Sequence, residues 1–459
     1  MPLSHRLTVG LLTISLVGAI NCGAAFARSQ RIPYSHTVAA LVKTNSSAQT
    51  PAQVPASQSS PKTDQYTLSP ERYQQAVEFS RARYRLYFIN VICGVLVLLL
   101  VLRWRLAPKF RDWAERLSSR RFIQAAIYTP LLVVTLAIAG LATATYGHHL
   151  SRHYGISVQG WDSWMWDWAK GQFLTIVISV FLVWILYGVI RRSPRRWWFY
   201  FWLACLPLLV FLIFLAPVVI DPLFNKFEPL QQKDPQLVSA LEQVVRRTGL
   251  DIPPERMFWM QASEKTKALD AYVTGIGASK RVVVFDNTIQ RMSTSETLFV
   301  FGHESGHYVL GHVWKGILFF AALAFVLLYA GFALQRRLLA RWGMSCGIRS
   351  LEDWASLPVL LLIISVFAFF TDPVANSFSR HLEHQADIYG LEVTHSITPD
   401  SGEVAARAFQ VLGEVDLADP APSPFIEFWL YDHPPLGKRL DFARTYNPWE
   451  AGKEPEFVK

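Results

Sequence analysis

Two histidines and a glutamate near residue 300 have the spacing of a zinc site. His303, Glu304 and His307 form the pattern H-E-x-x-H within the segment FGHESGHYVLGH. Side chains four apart lie on one face of a helix, so both imidazoles can reach one cation. Glu304 lies one step round that helix, where its carboxylate can polarise water but is poorly placed to be an equal ligand. Because so short a pattern also arises by chance, a site needs a third ligand.

His312 is one candidate for the third ligand, but its spacing is unfavourable. It follows His307 by five residues, which turns it about 140° away on a continuous helix. Zinc peptidases with a third histidine in this motif place it one position later, after a glycine. We therefore interpret His312 as a residue of the outer shell or of the plain surface.

The segment NSFSRHLEHQAD, residues 376–387, is a better source of a ligand. Four polar residues follow one face of its predicted helix at steps of four, three and four: Asn376, Arg380, Glu383 and Asp387. Glu383 would complete a catalytic zinc shell of two histidines and one carboxylate, with the fourth position open. Asp387 can accept the free N–H of a ligating histidine or handle protons, and Arg380 can hold the carboxylates ionised. An exposed ladder of salt bridges is the alternative interpretation of this stripe.

The elements that carry these residues are predicted from periodicity and capping signals. Ser293 and Glu296 form a capping box, which opens a helix that runs through the motif towards the next apolar stretch. Residues 236–250 have the apolar spacing of a helix. AYVTGIG (271–277) and KRVVVF (280–285) indicate two strands joined by a glycine-containing turn.

The chain as a whole is unusually apolar. Hydrophobic residues make up 51% of its 459 residues and aromatic residues 14%, which indicates a mixed membrane and soluble architecture. Six apolar stretches are long enough to cross a bilayer: 86–102, 122–143, 172–190, 197–220, 316–334 and 354–371. The predicted fold class is a predominantly α, polytopic membrane protein whose zinc metalloprotease domain carries a small β element.

Lysine and arginine are divided unequally among the segments between the apolar stretches. Fifteen of them lie in three alternate segments, 103–121, 191–196 and 335–353, whereas segment 144–171 carries two. Short loops rich in lysine and arginine stay in the cytoplasm. The catalytic segments are therefore predicted to face the other side, the periplasm in a bacterium. We attribute the net charge of +9 to these cytoplasmic loops rather than to a nucleic-acid-binding surface. The predicted partner is therefore the lipid bilayer, and no nucleic acid.

The chain divides into six predicted regions. Residues 1–27 are typical of a secretory signal peptide, with an uncleaved first membrane helix as the alternative. Residues 28–70 include a run rich in Ser, Gln, Pro and Thr and are predicted to be a disordered linker. Residues 71–220 are predicted to form a four-helix membrane region and residues 316–371 two further membrane helices. The peptidase domain is predicted in two parts, 221–315 and 372–459.

Neither the cysteines nor a second histidine cluster offers another metal site. The four cysteines are scattered and predict no disulfide framework. His148, His149 and His153 lie close in sequence, but only the last two are four apart and no carboxylate accompanies them. We interpret the three histidines as a surface or lipid-interface group.

The sequence resembles the CAAX prenyl endoproteases, which are membrane zinc metalloproteases of the H-E-x-x-H plus glutamate class. Five blocks carry the resemblance across about residues 71–445: PLFNKFEPL, KRVVVFD, HESGHYVLGH, SRHLEHQAD and HPPLGKRL. The resemblance implies one zinc ion bound by His303, His307 and Glu383. It further implies catalytic roles for four residues: Glu304 as general base, Asp387 as proton donor, and His433 and Arg439 near the tetrahedral intermediate.

Two features depart from that family. Asp270, Ala271 and Tyr272 correspond to the family's Asn-Ala-Tyr, whose backbone binds the substrate as an added strand, and the aspartate introduces a charge there. In eukaryotic relatives the site faces the cytosol, where prenylated CAAX tails are. The loop charges of this chain predict the opposite side.

The predicted function is that of an integral membrane zinc metalloendopeptidase. Its partner would be a peptide or protein substrate, with or without an attached lipid. A membrane zinc transporter or sensor and a non-catalytic scaffold are the alternatives. A transport site would lie within the spans near the membrane midplane, whereas these ligands flank predicted spans. The presence of Glu304 disfavours the scaffold.

Overall fold

The computed structural model describes residues 67–275, 279–450 and 452–458. Within them the chain is helical apart from one small sheet, which confirms the predicted fold class. The predicted signal peptide, and all of the predicted linker except its last four residues, lie outside the described residues.

The described chain begins with five helices. They are α1 (Pro70–Arg103), α2 (Leu106–Leu117), α3 (Arg121–His153), α4 (Trp161–Arg192) and α5 (Trp197–Leu215), and α5 continues into a π-helical turn at Ala216–Ile220. Helix α2 lies in the segment predicted as a loop between the first two spans. One of its faces is buried, and there Arg111 forms an ion pair of 2.5 Å with Asp353.

A four-stranded sheet follows, with short helices around it. In chain order these elements are α6 (Asp221–Phe224), β1 (Phe227–Pro229), α7 (Leu230–Lys233), α8 (Pro235–Thr248), a 3-10 turn (Pro254–Arg256), β2 (Met257–Met260), β3 (Ala271–Thr274), β4 (Arg281–Phe285) and α9 (Asp286–Arg291). The strand order is β1-β2-β4-β3, with β2 and β4 parallel and the other two pairs antiparallel. Strand β3 therefore lies at an edge of the sheet.

The structure confirms the predicted helix at 236–250 and both predicted strands. Asp234 caps α8 by accepting from the backbone N–H of Leu237, and α8 packs its apolar face onto the sheet and the motif helix. Strands β1 and β2 were not predicted, because three and four residues are too few to show a period of two.

The motif lies on α10 (Thr294–Val309), which opens with the predicted capping box of Ser293 and Glu296. The predicted helix through the motif ends before it reaches the next apolar stretch. Helix α10 ends at Val309, Gly311 has a φ of +68°, and a separate helix, α11 (His312–Trp342), begins at the next residue. A left-handed glycine at this position is a common way to end a helix.

Helix α12 (Leu357–Thr394) follows a 3-10 turn at Trp354–Ser356 and carries the 376–387 stripe without interruption from the apolar stretch before it. Three helices complete the described chain: α13 (Ser401–Asp416), α14 (Pro424–Leu430) and α15 (Leu436–Thr445).

Among the described helices, α1, α3, α4, α11 and α12 are long and apolar enough to cross a membrane. They match five of the six predicted spans. The sixth, 197–220, corresponds to the shorter apolar helix α5 and its π-helical turn. Large apolar side chains such as Leu318 and Phe370 are 73% and 63% exposed on these helices, as expected of surfaces that contact lipid.

Candidate metal centre

Three glycines let α10 and α12 approach closely enough to share a site. A Cβ atom on Gly390 of α12 would lie 3.0 Å from the backbone nitrogen of His303. On α10, a Cβ on Gly302 would lie 2.8 Å from Val393, and one on Gly306 would lie 3.0 Å from Tyr389. Sequence reasoning missed these residues, although G-x-x-x-G spacing, which allows close helix contact, overlaps the H-E-x-x-H motif.

This helix pair brings the three predicted ligands together. The Nε2 atoms of His303 and His307 lie 3.2 Å apart. From α12, Glu383 places Oε2 3.2 Å from Nε2 of His303 and Oε1 3.7 Å from Nε2 of His307. All three side chains are buried. Ligand atoms of His303, Glu304 and His307 also lie within 4.8 Å of one another.

These separations fit a tetrahedral metal ion. Zinc bonds of 2.0–2.1 Å at tetrahedral angles place ligand atoms about 3.3 Å apart. Both carboxylate oxygens of Glu383 are buried and lie close to the Nε2 atoms of the two histidines, so the carboxylate can supply a ligand atom. Burial disfavours a charged His303, yet hydrogen bonds to Asp387 and Glu383 outweigh it and raise the histidine pKa to about 9. The site therefore stabilises a positive charge.

Asp387 contacts His303 on the side of the ring that faces away from the candidate metal position. Its Oδ1 is 2.9 Å from Nδ1 of His303, and Arg439 of α15 donates to both carboxylate oxygens at 2.8 and 2.6 Å. A carboxylate that accepts the outer N–H of a histidine fixes the tautomer and orientation of the ring. The geometry thus favours the N–H acceptor among the two roles that the sequence left open for Asp387.

Glu304 faces a cavity of about 290 Å³ that also reaches His303, His433 and Arg439. The Glu304 side chain is 5% exposed, and this burial raises its pKa to about 7. A carboxyl group with such a pKa can both accept and release a proton at neutral pH.

His433 also contacts Glu383, from the segment between α14 and α15. Its Nε2 is 3.1 Å from Oε2 of Glu383, and its Nδ1 is 2.9 Å from Oδ1 of Asp432. Sequence reasoning missed Asp432, although it directly precedes His433. The structure therefore brings His433 to the three ligands from a segment that is fifty residues further along the chain than Glu383.

Asn376 and Arg380, the other two residues of the polar stripe, contact backbone carbonyls of α14 and the residue after it. Arg380 donates to the backbone carbonyls of Glu427 and Tyr431, and Asn376 donates to the carbonyl of Trp429 at 2.6 Å. The stripe of α12 thus holds α14 and the segment leading to His433. The prediction that Arg380 keeps the site carboxylates ionised is wrong for Asp387, since Arg439 makes that ion pair.

His312 contacts the site. On a continuous helix it would have pointed away from His307, as the sequence predicted. The break at Gly311 brings its Nδ1 to 3.1 Å from Nδ1 of His307, and the side chain is only 3% exposed. The outer-shell alternative for His312 therefore fits the geometry, and the surface alternative does not.

The predicted substrate-binding residues lie beside the motif helix. Ala271 and Tyr272 belong to edge strand β3, whose outer side pairs with no other strand in the described part of the chain. Asp270 precedes the strand, and both Asp270 and Tyr272 line the same cavity as Glu304. An extended chain added to β3 would thus pass close to the three candidate ligands.

His148 was predicted to lie at a surface or lipid interface and is instead fully buried. Its ring stacks on Trp164 at 4.9 Å between centroids and meets the edge of Trp161 at 4.8 Å. It also lines the cavity that Glu304 faces, so the lipid-interface interpretation is wrong for this residue.

Comparisons with known proteins match both the membrane part and the peptidase part of the chain. A family model described as CAAX prenyl protease N-terminal, five membrane helices, matches residues 52–226, and the model of peptidase family M48 matches residues 231–447. An uncharacterised metalloprotease of Bacillus subtilis, YhfN, is 32% identical over 376 residues, which cover 82% of this chain and 86% of the relative. The chain belongs to peptidase family M48.

More distant relatives agree with this membership. CAAX prenyl protease 1 of Saccharomyces cerevisiae is 24% identical, covering 81% of this chain and 86% of the relative. The human homolog is also 24% identical, over 74% and 78% of the two chains. The crystal structure of S. mikatae Ste24p aligns with a TM-score of 0.72 at 20% identity, covering 97% of this M48 chain and 100% of that one.

Membership of M48 makes this protein an integral, multi-pass membrane metalloprotease of the CAAX prenyl protease-like type. It confirms the predicted resemblance and implies a metal cofactor and a peptide or protein substrate. It also favours the enzyme over the transporter and the scaffold. The buried His-Glu-His group of α10 is the cluster of the described chain that suits such a metal.

Proposed function

We propose that this M48 protease is a zinc-dependent endopeptidase in which His303, His307 and Glu383 hold one zinc ion per chain. The observation that carries the proposal is the convergence of two Nε2 atoms and the Glu383 carboxylate at 3.2–3.7 Å. The two parts of the peptidase domain, 221–315 and 372–459, then contribute two ligands and one ligand respectively.

Glu304 acts as the general base. Bound zinc would supply Lewis acidity to water and to the scissile carbonyl. Glu304 accepts the proton of the attacking water, which its pKa of about 7 allows near neutral pH. The same carboxyl then delivers the proton to the leaving amine, since it faces the cavity in which the peptide would lie.

Three further residues assist this reaction. Asp387 orients His303 through its hydrogen bond, and we assign it that role in place of the proton donation implied by the family. The ring of His433 is oriented by Asp432, 2.9 Å from its Nδ1, and faces the site through Nε2, where it stabilises the oxyanion. Arg439 holds Asp387 and borders the cavity, so its charge also favours a developing anion.

The substrate is an extended peptide that adds to β3. The unpaired edge of Ala271 and Tyr272 supports this binding mode, because an added strand satisfies free backbone groups next to the catalytic residues. The hydroxyl of Thr288 fixes the backbone of Asp270, because it accepts from the Asp270 N–H and donates to the Asp270 carbonyl. The peptide can belong to a membrane-associated protein, with or without a lipid.

The catalytic side is extracytoplasmic in this proposal. It rests on the fifteen-to-two division of lysine and arginine. Several relatives are named CAAX prenyl proteases, but prenylated tails in the cytosol would be out of reach of a site on the far side. We therefore propose a peptide or protein on the outer side as the substrate.

Replacement of Glu304 by glutamine tests the proposal. The variant Glu304→Gln loses the base but no ligand, so we expect one zinc ion per chain and peptide cleavage reduced at least about a hundredfold. Metal content is measured by emission spectroscopy and cleavage with a fluorogenic peptide library. The matched control is Glu296→Gln on the same helix, which keeps the capping box and should cleave normally.

The same Glu304→Gln protein can identify the substrate. It should retain uncleaved peptides, which mass spectrometry of the co-purified material would reveal. Undiminished cleavage by Glu304→Gln would overturn the mechanism, and a wild-type protein without bound zinc would overturn the proposed cofactor.

A further inference from the structure

His307 and His303 have different partners on the side away from the candidate metal. Nδ1 of His303 meets the carboxylate of Asp387. Nδ1 of His307 instead meets Nδ1 of His312 at 3.1 Å, and Nε2 of His312 lies 3.1 Å from Oε1 of Gln385. The two histidine rings are inclined at 74° with centroids 5.1 Å apart. A chain of two hydrogen bonds thus links α10, α11 and α12.

The chemistry of the last acceptor sets the direction of this chain. An amide oxygen can only accept, so Nε2 of His312 must carry the hydrogen. A neutral His312 then has an unprotonated Nδ1, which accepts from Nδ1–H of His307. His307 is left with its lone pair on Nε2, the atom that converges with His303 and Glu383.

The break between α10 and α11 is what makes this contact possible. On an unbroken helix, a residue five positions after His307 lies about 140° round the axis. Gly311 adopts a φ of +68°, which is costly for residues with a Cβ atom. The turn places His312, at the start of α11, within hydrogen-bond distance of both His307 and Gln385 of α12.

We propose that His312 and Gln385 are positioning residues that hold His307 in the tautomer and orientation needed to bind the metal. This inference rests on the proposed zinc site. It assigns His307 a neutral hydrogen-bond relay, in contrast to the anionic partner of His303. A neutral relay fixes the ring without adding negative charge to a site that already contains Glu383 and Asp387.

Zinc affinity separates this role from simple packing. The variant His312→Phe keeps a ring of similar size but has no acceptor, and we expect it to bind zinc about 10- to 100-fold more weakly, as is typical for outer partners of metal ligands. The variant His312→Asn loses the ring but offers Oδ1 near the position of Nδ1, and should recover most of the affinity. A packing role predicts the opposite order.

A second variant probes the outer hydrogen bond. Gln385→Met removes the acceptor of a partly exposed side chain, so the tautomer of His312 is no longer fixed. We expect a smaller loss of zinc affinity than in His312→Phe. The control is His381→Phe, an exposed histidine on the same helix, which should bind zinc like the wild type.

All variants are compared as full-length protein in detergent micelles. The measurements are the zinc dissociation constant by competition with a chromophoric chelator, the absorption spectrum with Co²⁺ bound, and the thermal midpoint without metal. Wild-type affinity in His312→Phe, or affinity in His312→Asn no better than in His312→Phe, would overturn the relay while leaving the zinc site intact. Absence of zinc binding by the wild type would instead overturn the proposed function.

Discussion

At the residue scale, each histidine of the candidate site is fixed by a partner at Nδ1, the ring nitrogen that faces away from the metal position. His303 is held by Asp387, which is held in turn by Arg439. His307 is held by His312. Glu383 lies within 3.1–3.7 Å of the Nε2 atoms of His303, His307 and His433, and a cation shared with the first two would compensate its buried charge.

Loss of Glu383 should therefore affect metal binding most strongly. In Glu383→Ala only two histidines remain as ligands, and we expect zinc affinity to fall by more than the ~10- to 100-fold typical for an outer partner. Metal content by emission spectroscopy and chelator competition measure the effect. Asp387→Asn is the comparison, since it perturbs His303 without removing a ligand. A Glu383→Ala protein that keeps one tightly bound zinc would show that another residue is the third ligand.

At the element scale, the site depends on the close contact of α10 and α12. Gly302 and Gly306 on one helix face Val393 and Tyr389 on the other, and Gly390 faces the backbone of His303. The contact sets the distance from the histidines to Glu383. A few tenths of an ångström added here would separate the ligands, because packed helices move as rigid units.

The substitution Gly390→Ala tests this contact. A Cβ atom 3.0 Å from the nitrogen of His303 and 3.1 Å from Phe299 should force the helices apart, destabilise the fold by about 1–3 kcal/mol and weaken zinc binding. The control is Gly316→Ala on α11, where a Cβ meets no atom within 4 Å. That change should be neutral or stabilising by up to ~1 kcal/mol. Equal midpoints and zinc affinities for the two variants would contradict the packing argument.

At the scale of the whole molecule, the basic segments gather at one end. Arg349 pairs with Asp112 and Glu115 of α2, and Arg191 lies over the ring of Trp354 at 4.5 Å. The segment poor in lysine and arginine contacts the peptidase domain instead, since Asp167 pairs with Lys265 at 2.5 Å. The catalytic cavity therefore lies at the end opposite the basic segments.

Reporter fusions test the proposed orientation. A reporter active only outside the cytoplasm should be active when fused after Lys459 and silent when fused at about Ser193, because basic loops resist translocation. Antibody accessibility of a tag in intact cells provides an independent check. The reverse pattern would place the site in the cytoplasm and return prenylated CAAX tails to the possible substrates.

The sequence by itself determined the features that depend on neighbouring residues. The spacing of His303, Glu304 and His307 follows from the pitch of one helix. The apolar stretches, the capping box at Ser293 and the two strands are likewise local signals, and the structure agrees with them except over 197–220.

The tertiary structure decided the features that depend on contacts between distant segments. Arg439, rather than Arg380 on the same stripe, pairs with Asp387, because α15 folds back onto α12. The left-handed Gly311 ends the helix before His312, so the angle calculated for a continuous helix no longer applies. His312 therefore contacts the site instead of pointing away from it. The unpaired edge of β3 was equally invisible to local patterns, because strand order follows from packing of the whole sheet.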